Sequence, residues 1–385
     1  GFFIVFFASY GQTFFISLFN FEIKKYYDLT DGQFGLVYSL GTLTSSFLLI
    51  GFAKLIDHID LKIYSLIVSL GLFFACLCMY TSYQSFVFLI FIIFILRFFG
   101  QGAMSHAGET TMARYFGKNR GKALSVSTLG GMIGVMIFPF IAVELKEIFG
   151  WRNVWLICSF SILFIFIPFI FFILHNQSAR HSKFKSSIKN DSSHQKLRTR
   201  DIIVDKKFYF YLPISIAVPF ISTGLTFHQI FIISQKDWTI QMLANSFFLL
   251  GTFSIIGLLI GGPIVDKFNI KKIIYFTLVP LFCAILTLVL FNNYLFIFIY
   301  MSFMGLSLGI GTPFVGALWA ELYGLESLGT VKGLLHALMV FFSALSPVVF
   351  GYMIDFGFGI LSLSIMSVSI IIFSTFLPIF FYYNE

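Results

Sequence analysis

The chain has 385 residues, of which 58% are hydrophobic and only 11% are charged, and its mean hydropathy is +0.93. Soluble domains are about 25% charged, so this composition excludes a soluble protein. The net charge of +8 requires no nucleic-acid partner, because the placement of basic residues in loops on one side of a membrane accounts for it.

Long apolar runs recur along the chain, each sufficient to cross a hydrocarbon core of about 30 Å. Hydropathy therefore predicts an all-α membrane protein with twelve transmembrane helices, since no segment alternates like a barrel strand. The predicted helices cover residues 1–21, 33–54, 63–81, 86–108, 122–143, 153–174, 208–232, 243–264, 272–290, 294–318, 332–353 and 359–382.

The loops predict the orientation of these helices. With the N-terminus in the cytoplasm, the predicted cytoplasmic loops hold 19 of the 25 Lys and Arg residues and the external loops hold 5. Positive residues accumulate on the cytoplasmic side, so both termini are expected there, in a multi-pass protein of the cytoplasmic membrane. We expect a monomer in the lipid bilayer.

The longest polar stretch, residues 175–207, is rich in Ser, Lys, Asn and Arg and separates the helices into two sets of six. This pattern predicts an N-terminal six-helix bundle at 1–174, a flexible cytoplasmic linker at 175–207 and a C-terminal six-helix bundle at 208–385.

The two halves read as copies of one pattern, with matching positions between 208 and 213 residues apart. A membrane protein built from two parallel repeats is typical of a secondary transporter, whose substrate site lies near the bilayer midplane. The repeated positions include Gly11 and Gly224, Thr13 and Thr226, Asp57 and Asp266, Lys62 and Lys271, Gly100 and Gly309, and Pro139 and Pro347.

Several motifs resemble the major facilitator superfamily, and the resemblance covers essentially the whole chain. Residues 262–267 look like the family's loop motif, of which the first copy is degraded at Ala53 and His58. Residues 97–102 look like its helix-four signature, and 120–139 are similar to its helix-five motif. The resemblance implies two pseudo-symmetric domains that work by alternating access. Residues 97–102 and 319–324 most resemble monocarboxylate-transporter-like bacterial members.

Arg97 is the only Lys or Arg inside a predicted membrane core, at a depth of about 15 Å from the start of its helix. Burial of a guanidinium in lipid costs at least about 2.5 kcal/mol, so the side chain must face protein or water. Two interpretations stay open. In one, Arg97 attracts an anionic substrate or takes part in coupling. In the other, it pins helices by bonds to carbonyls of the first helix.

Other polar residues of the predicted spans are candidates for substrate contact. Gln101 lies one turn beyond Arg97 on the same face, with hydrogen bonding between helices as the alternative. His228 is a candidate proton carrier, because histidine is the side chain type suited to proton transfer near neutral pH, with packing as the alternative. The resemblance places the first and seventh helices at the transport pathway. The remaining candidates are Gln12, Thr13, Thr226 and Gln229.

Charged residues at the predicted cytoplasmic helix ends are candidates for gating. Glu109 and Glu321 close the fourth and tenth helices and are interpreted as gate ion pairs or solvated end charges. The resemblance implies that Asp57, Asp266 and Lys267 help to latch the two halves in one state.

Two glycine pairs offer flat helix surfaces: Gly130 with Gly134 in the fifth helix, and Gly257 with Gly261 in the eighth. In the family these helices meet across the domain interface, so sliding contact is one interpretation. Close packing in general is the other.

The sequence predicts a secondary transporter of a small organic anion such as a monocarboxylate, coupled to protons. Export of a hydrophobic or drug-like compound is the alternative, and a membrane sensor that has lost transport is a further one. No catalytic constellation, metal-ligand cluster or cofactor fingerprint occurs in the sequence, so we expect no enzyme activity, no metal and no cofactor.

Overall fold

The structure is a computed structural model that describes residues 1–116, 120–174 and 199–384. Within these residues it is helical and contains no strand. Helices satisfy every backbone hydrogen bond within one segment, as a bilayer requires. Eleven described helices have the length and apolar character of a membrane span, and a broken pair of helices at the start of the chain makes a twelfth. The predicted fold class is confirmed.

The spans are labelled in chain order. They are α1 (Phe2–Gly11 with Thr13–Tyr27), α2 (Asp31–Ile56), α3 (Leu61–Thr81), α4 (Phe86–Met112), α5 (Lys122–Phe149), α6 (Trp151–Ile173), α7 (Lys206–Phe227), α8 (Ile240–Lys267), α9 (Ile270–Leu290), α10 (Phe296–Gly324), α11 (Ser327–Asp355) and α12 (Ile360–Pro378).

Most helices extend beyond the ends that hydropathy predicts, because polar end turns stay helical when they are capped. The side chain of Thr30 caps α2 in a capping box with Gln33. Three described glycines have positive φ: Gly150 before α6 (80°), Gly324 at the end of α10 (76°) and Gly357 before α12 (83°). This conformation costs other residues more.

The chain forms two compact units, Gly1–Ser192 and Ser193–Glu385, with α1 to α6 in the first and α7 to α12 in the second. Most of the predicted linker, residues 175–198, lies outside the described residues. Its last part forms a short helix, Thr199–Val204.

The two glycine pairs of α5 and α8 pack helices inside their own unit. A methyl group at Gly130 or Gly134 would collide with Phe2 and Ser9 of α1. In the second unit, a methyl group at Gly257 would lie 2.7 Å from the carbonyl oxygen of Leu306 in α10. The structure therefore shows close packing at these glycines within each unit, and their sliding contact stays a prediction.

Several spans depart from regular α geometry, among them α1, α4 and the seventh helix. The two parts of α1 meet at an angle of 43°, and Gln12 between them is extended, with ψ at 154°. In α4, Leu96–Met104 is a π-helix, a form that occurs often at functional sites. His228 interrupts the seventh helix, which resumes as Gln229–Gln235.

Candidate substrate site

The break in α1 lies directly against the π-helical segment of α4. A methyl group at Gly100 would lie 2.6 Å from the Cα atom of Gly11, so the two backbones touch at this point. Only glycine allows such a close approach, which explains why both positions lack a side chain. The contact places the π-helical segment beside the C-terminal end of the first part of α1, Phe2–Gly11.

Arg97 lies at this contact and is 3% exposed. Its Nη1 donates to the carbonyl oxygen of Gly11 at 3.0 Å and lies 3.5 Å from the Thr13 hydroxyl. Its Nε donates to the hydroxyl of Thr42 in α2 at 3.2 Å. The guanidinium therefore joins three helices of the first unit.

Tyr38 completes this cluster from α2. The guanidinium carbon lies 5.0 Å from the centre of its ring, within the range of a cation–π interaction. The Tyr38 hydroxyl forms a 2.6 Å hydrogen bond with the hydroxyl of Thr13. Sequence reasoning missed Tyr38 and Thr42. Tyr38 and Thr42 are four residues apart and therefore lie on one face of α2. This spacing indicates a shared contact only when the positions of the neighbouring helices are known.

The break in α1 explains why Arg97 binds there. A helix end leaves carbonyl groups without intrahelical partners and carries a partial negative charge. The first part of α1 ends at Gly11, and Arg97 supplies both a donor and a positive charge at that end. The structure thus contains the contact to a first-helix carbonyl that one of the two interpretations of Arg97 required.

The described contacts of Arg97 do not neutralise its charge. They are two hydroxyl groups, one carbonyl group and an aromatic ring. None of these groups is ionised as a carboxylate is, so the buried cation keeps its full charge among neutral partners. An arrangement of this kind holds a guanidinium in place without placing a carboxylate beside it.

The neighbouring polar residues of the first unit lie on the same two elements. Gln12 is half-buried at the break, and its side chain does not cap the helix that follows. Gln101 is half-buried in the π-helical segment, four residues after Arg97. The structure therefore brings Thr13 to Arg97 and places Gln12 and Gln101 on the elements that form the cluster.

The candidates of the second unit lie at the interruption after α7. His228 is 1% exposed, and its Nε2 lies 2.9 Å from the carbonyl oxygen of Pro347 in α11. A carbonyl oxygen only accepts, so Nε2 carries the proton. Gln229 is buried and Thr226 is half-buried. The hydrogen bond between His228 and Pro347 is of the kind that the packing interpretation of His228 predicts.

The predicted gating residues occupy helix ends. Asp266 and Lys267 are exposed at the end of α8, and Glu109 is exposed in α4. Glu321 is exposed in α10, 3.9 Å from Lys271, an ion pair that contributes little. Asp57 ends a short 3₁₀ helix, and its side chain lies outside the described residues. Their role in gating stays a prediction.

Comparison with known proteins decides the family. The sequence matches the Major Facilitator Superfamily over residues 1–347. The chain belongs to this superfamily. Transporters of this superfamily consist of two repeated halves and bind substrate near the midplane of the bilayer. The family and the fold therefore point to a multi-pass membrane transporter that works by alternating access, rather than to an enzyme.

Two solved structures show the same fold. Both are crystal structures of a bacterial homologue of the human lysosomal transporter Spinster in inward-facing conformations. The occupied form has a TM-score of 0.69 and 14% identity, and covers 99% of this chain and 94% of that chain. The unoccupied form has a TM-score of 0.62 and 13% identity, and covers 98% and 91%. No curated protein matches the sequence.

Proposed function

We propose that this member of the superfamily moves a small organic anion across the cytoplasmic membrane, with Arg97 as the cation that attracts the anion. The observation that carries the proposal is the charge balance at Arg97. The guanidinium is 3% exposed and its described partners are all neutral. A buried cation without a counter-ion favours the entry of an anion, because the anion supplies the missing charge in surroundings of low dielectric.

The contacts to Gly11, Thr13 and Thr42 support this role rather than oppose it. They fix the guanidinium before substrate arrives, so an anion gains the interaction without ordering a long side chain. Gln12, Thr13 and Gln101 are proposed to orient the anion. A carboxylate fits a guanidinium through two parallel hydrogen bonds, which agrees with the resemblance of residues 97–102 and 319–324 to monocarboxylate-transporter-like members.

A proton gradient is the proposed driving force, and His228 is the proposed proton carrier, because an imidazole titrates near neutral pH. Thr226 and Gln229 are proposed as substrate residues of the second unit. Asp57, Asp266, Lys267, Glu109 and Glu321 are proposed to act at the cytoplasmic ends of the helices. The 19-to-5 distribution of basic residues supports cytoplasmic termini, and a monomer is proposed.

Counterflow in proteoliposomes tests the proposal. Vesicles that contain the full chain are loaded with one unlabelled compound and assayed for uptake of the labelled form, using small monocarboxylates, a neutral sugar and an amine. We expect saturable exchange of a monocarboxylate and none of the other two. Arg97→Ala is expected to abolish the exchange, and Arg97→Lys to retain a small part, since a lysine keeps the charge but not the paired donors.

Lys236→Gln is the matched control, because it removes a cation that lies outside the membrane spans. Its exchange rate should equal that of the wild type. Preference for the sugar or the amine contradicts the anion proposal. Undiminished exchange by folded Arg97→Ala protein removes Arg97 from the mechanism. If Arg97→Ala does not fold, the comparison of Arg97→Lys with the wild type takes its place.

A further inference from the structure

The second part of α1, Thr13–Tyr27, contains a further irregular turn. Ser17–Phe19 is a 3₁₀ helix, and Phe19 leaves helical geometry with φ at −106° and ψ at 8°. A turn of this kind disturbs the regular series of backbone hydrogen bonds, so a side chain from a neighbouring helix can bind a carbonyl group there. After the break at Gln12, this turn is a second place at which another helix can bind the backbone of α1.

Lys146, in the last turn of α5, binds the irregular turn. Its Nζ donates to the carbonyl oxygen of Leu18 at 2.9 Å and lies 5.7 Å from the centre of the Phe19 ring. The same atom pairs with Oε1 of Glu22, one turn further along α1, at 2.8 Å. One ammonium group of α5 thus contacts two successive turns of α1.

This contact is largely enclosed by protein. The side chain of Lys146 is 10% exposed and that of Glu22 is 24% exposed. Removal of water strengthens the attraction between opposite charges, and a hydrogen bond from a charged donor is stronger than a neutral one. Removal of one partner from an enclosed pair also leaves the other charge uncompensated. Lys146 therefore fixes α1 to α5 at this turn.

Arg97 makes a similar contact at the break in α1. Arg97 of α4 donates to the carbonyl oxygen of Gly11, and Lys146 of α5 donates to that of Leu18, seven residues further along α1. Thr13 lies between these two points and contacts the guanidinium of Arg97. Lys146 has a carboxylate beside it, whereas the described contacts of Arg97 include none. Lys146 is therefore suited to hold α1 rather than to attract an anion.

The second unit has different residues at the corresponding positions. By the spacing of the repeat, Ile354 stands in the place of Lys146 and Gln235 in the place of Glu22. The equivalent segment of the second unit, Gln229–Gln235, is an α-helix. The irregular turn and the lysine that binds it thus occur together in the unit in which we propose the anion site, so the fold that both units share does not require them.

We propose that Lys146 is a positioning residue of the anion site. It holds the turn at Leu18 against α5 and so keeps Thr13 in contact with Arg97. Without this hold the second part of α1 shifts, Thr13 moves away from the guanidinium, and the anion meets a cation that is less well oriented. This role rests on the proposed function, since it assigns Lys146 a part in binding the transported compound.

Lys146→Met tests the role, because methionine keeps an apolar side chain of similar length and removes the charged donor. We expect the KM in counterflow to rise about fivefold, the size of effect found for residues that act through others. Lys146→Arg keeps a donor for Leu18 and Glu22 and should restore the wild-type KM. An unchanged KM in folded Lys146→Met protein, with only the yield of folded protein lowered, shows a purely structural role and overturns the proposal.

A double variant, Lys146→Met with Glu22→Gln, separates positioning from the effect of an unpaired charge. It leaves no carboxylate without a partner, so its melting temperature should exceed that of Lys146→Met alone. Its KM should stay raised, because the bond to Leu18 is still absent. A return of the KM to the wild-type value overturns the proposal. If Lys146→Met does not fold, the double variant takes its place.

Lys24→Met is the matched control. Lys24 lies on the same part of α1 and pairs with Asp31 of α2 at 2.7 Å, with comparable side-chain exposures of 21% and 18%. This ion pair joins two side chains near the end of α1 and lies outside the irregular turn. Lys24→Met should therefore leave the KM unchanged. An equal rise of the KM in Lys24→Met and Lys146→Met would indicate general loosening of α1 and overturns the proposal.

Amide hydrogen exchange of the full chain in detergent tests the hold on α1 without transport. We expect the amides of residues 14–19 to exchange faster in Lys146→Met than in the wild type, and at the wild-type rate in Lys24→Met. Unchanged exchange in Lys146→Met overturns the proposal whatever the substrate is. If counterflow shows exchange of a sugar or an amine, the anion proposal fails, and the KM for that compound then tests Lys146.

Discussion

The two units interrupt corresponding helices but stabilise the interruptions differently. In the first unit the break follows Gly11, and Arg97 of α4 donates to the freed carbonyl group. In the second unit the interruption lies at His228, whose imidazole bonds to a carbonyl group of α11. Gly100 corresponds to Gly309 in the repeat, so the position equivalent to Arg97 is Leu306 in α10. Both units thus have the interruption, but among the described residues only the first unit has a buried arginine beside it.

The helices that carry these residues differ as well. The segment Leu96–Met104 of α4 is a π-helix, whereas α10 is α-helical over the corresponding residues. In the first unit Gly100 packs against Gly11 of α1, and in the second Gly309 packs against Ser254 of α8. Glycines at corresponding positions of the repeat therefore pack against different helices in the two units. Within the part of the chain that the structure describes, only the first unit brings a broken helix, a π-helix and a cation together. For this reason we propose the anion site there.

The largest effect is expected from a methyl group at the contact of α1 with α4. Gly11→Ala would force a carbon into the backbone of Leu96 and Gly100, which cannot move aside cheaply. We expect a loss of about 3 kcal/mol of stability, as for overpacked cores. Thermal unfolding in detergent measures it.

The related Gly224→Ala would meet the side chains of Ser346 and Phe350 instead, and side chains can rotate, so its loss should be smaller. Gly311→Ala is the control, since no atom lies within 4 Å of the added carbon. Equal losses at Gly11 and Gly224 would contradict the distinction between the two units.

A smaller effect is expected from the residues that hold Arg97. Tyr38→Phe removes the hydroxyl that binds Thr13 and keeps the ring under the guanidinium. Thr42→Val removes the acceptor of the Nε bond. For either change we expect the KM for anion exchange to rise about tenfold, because one bond that orients the cation is lost.

Counterflow at several substrate concentrations separates KM from the maximal rate. A purely structural cluster would instead lower the amount of folded protein at an unchanged KM, and that result would argue against Arg97 as the anion site. Thr44→Val serves as the control, because the Thr44 hydroxyl bonds only within its own helix, to Leu40.

The smallest effect on stability is expected at His228. His228→Gln keeps a donor that can reach the carbonyl oxygen of Pro347, so we expect a loss of about 1 kcal/mol or less. If His228 carries the proton, the variant should lose accumulation driven by a pH gradient and retain counterflow, which needs no net proton movement. Uptake with and without an imposed gradient measures this. Normal accumulation by the variant would leave His228 with packing alone.

Part of the candidate site could be predicted from the sequence. Arg97 stood out because a lone cation in an apolar run must find partners, and the structure gives it four. Tyr38 and Thr42 could not be predicted, because neither is unusual in a membrane helix. Their role depends on how α2 is rotated about its axis relative to α4, and hydropathy contains no information about that rotation.

The sequence by itself determined the number of spans, their helical form, the duplication and the presence of one buried cation. These follow from local properties: apolar length, backbone hydrogen bonding in lipid and the order of repeated residues. Tertiary structure alone decided where α1 breaks, that α4 becomes a π-helix, and which groups face Arg97. Each of these depends on contacts between residues far apart in the chain, such as Gly11 with Gly100, whose energies exist only once the helices have packed.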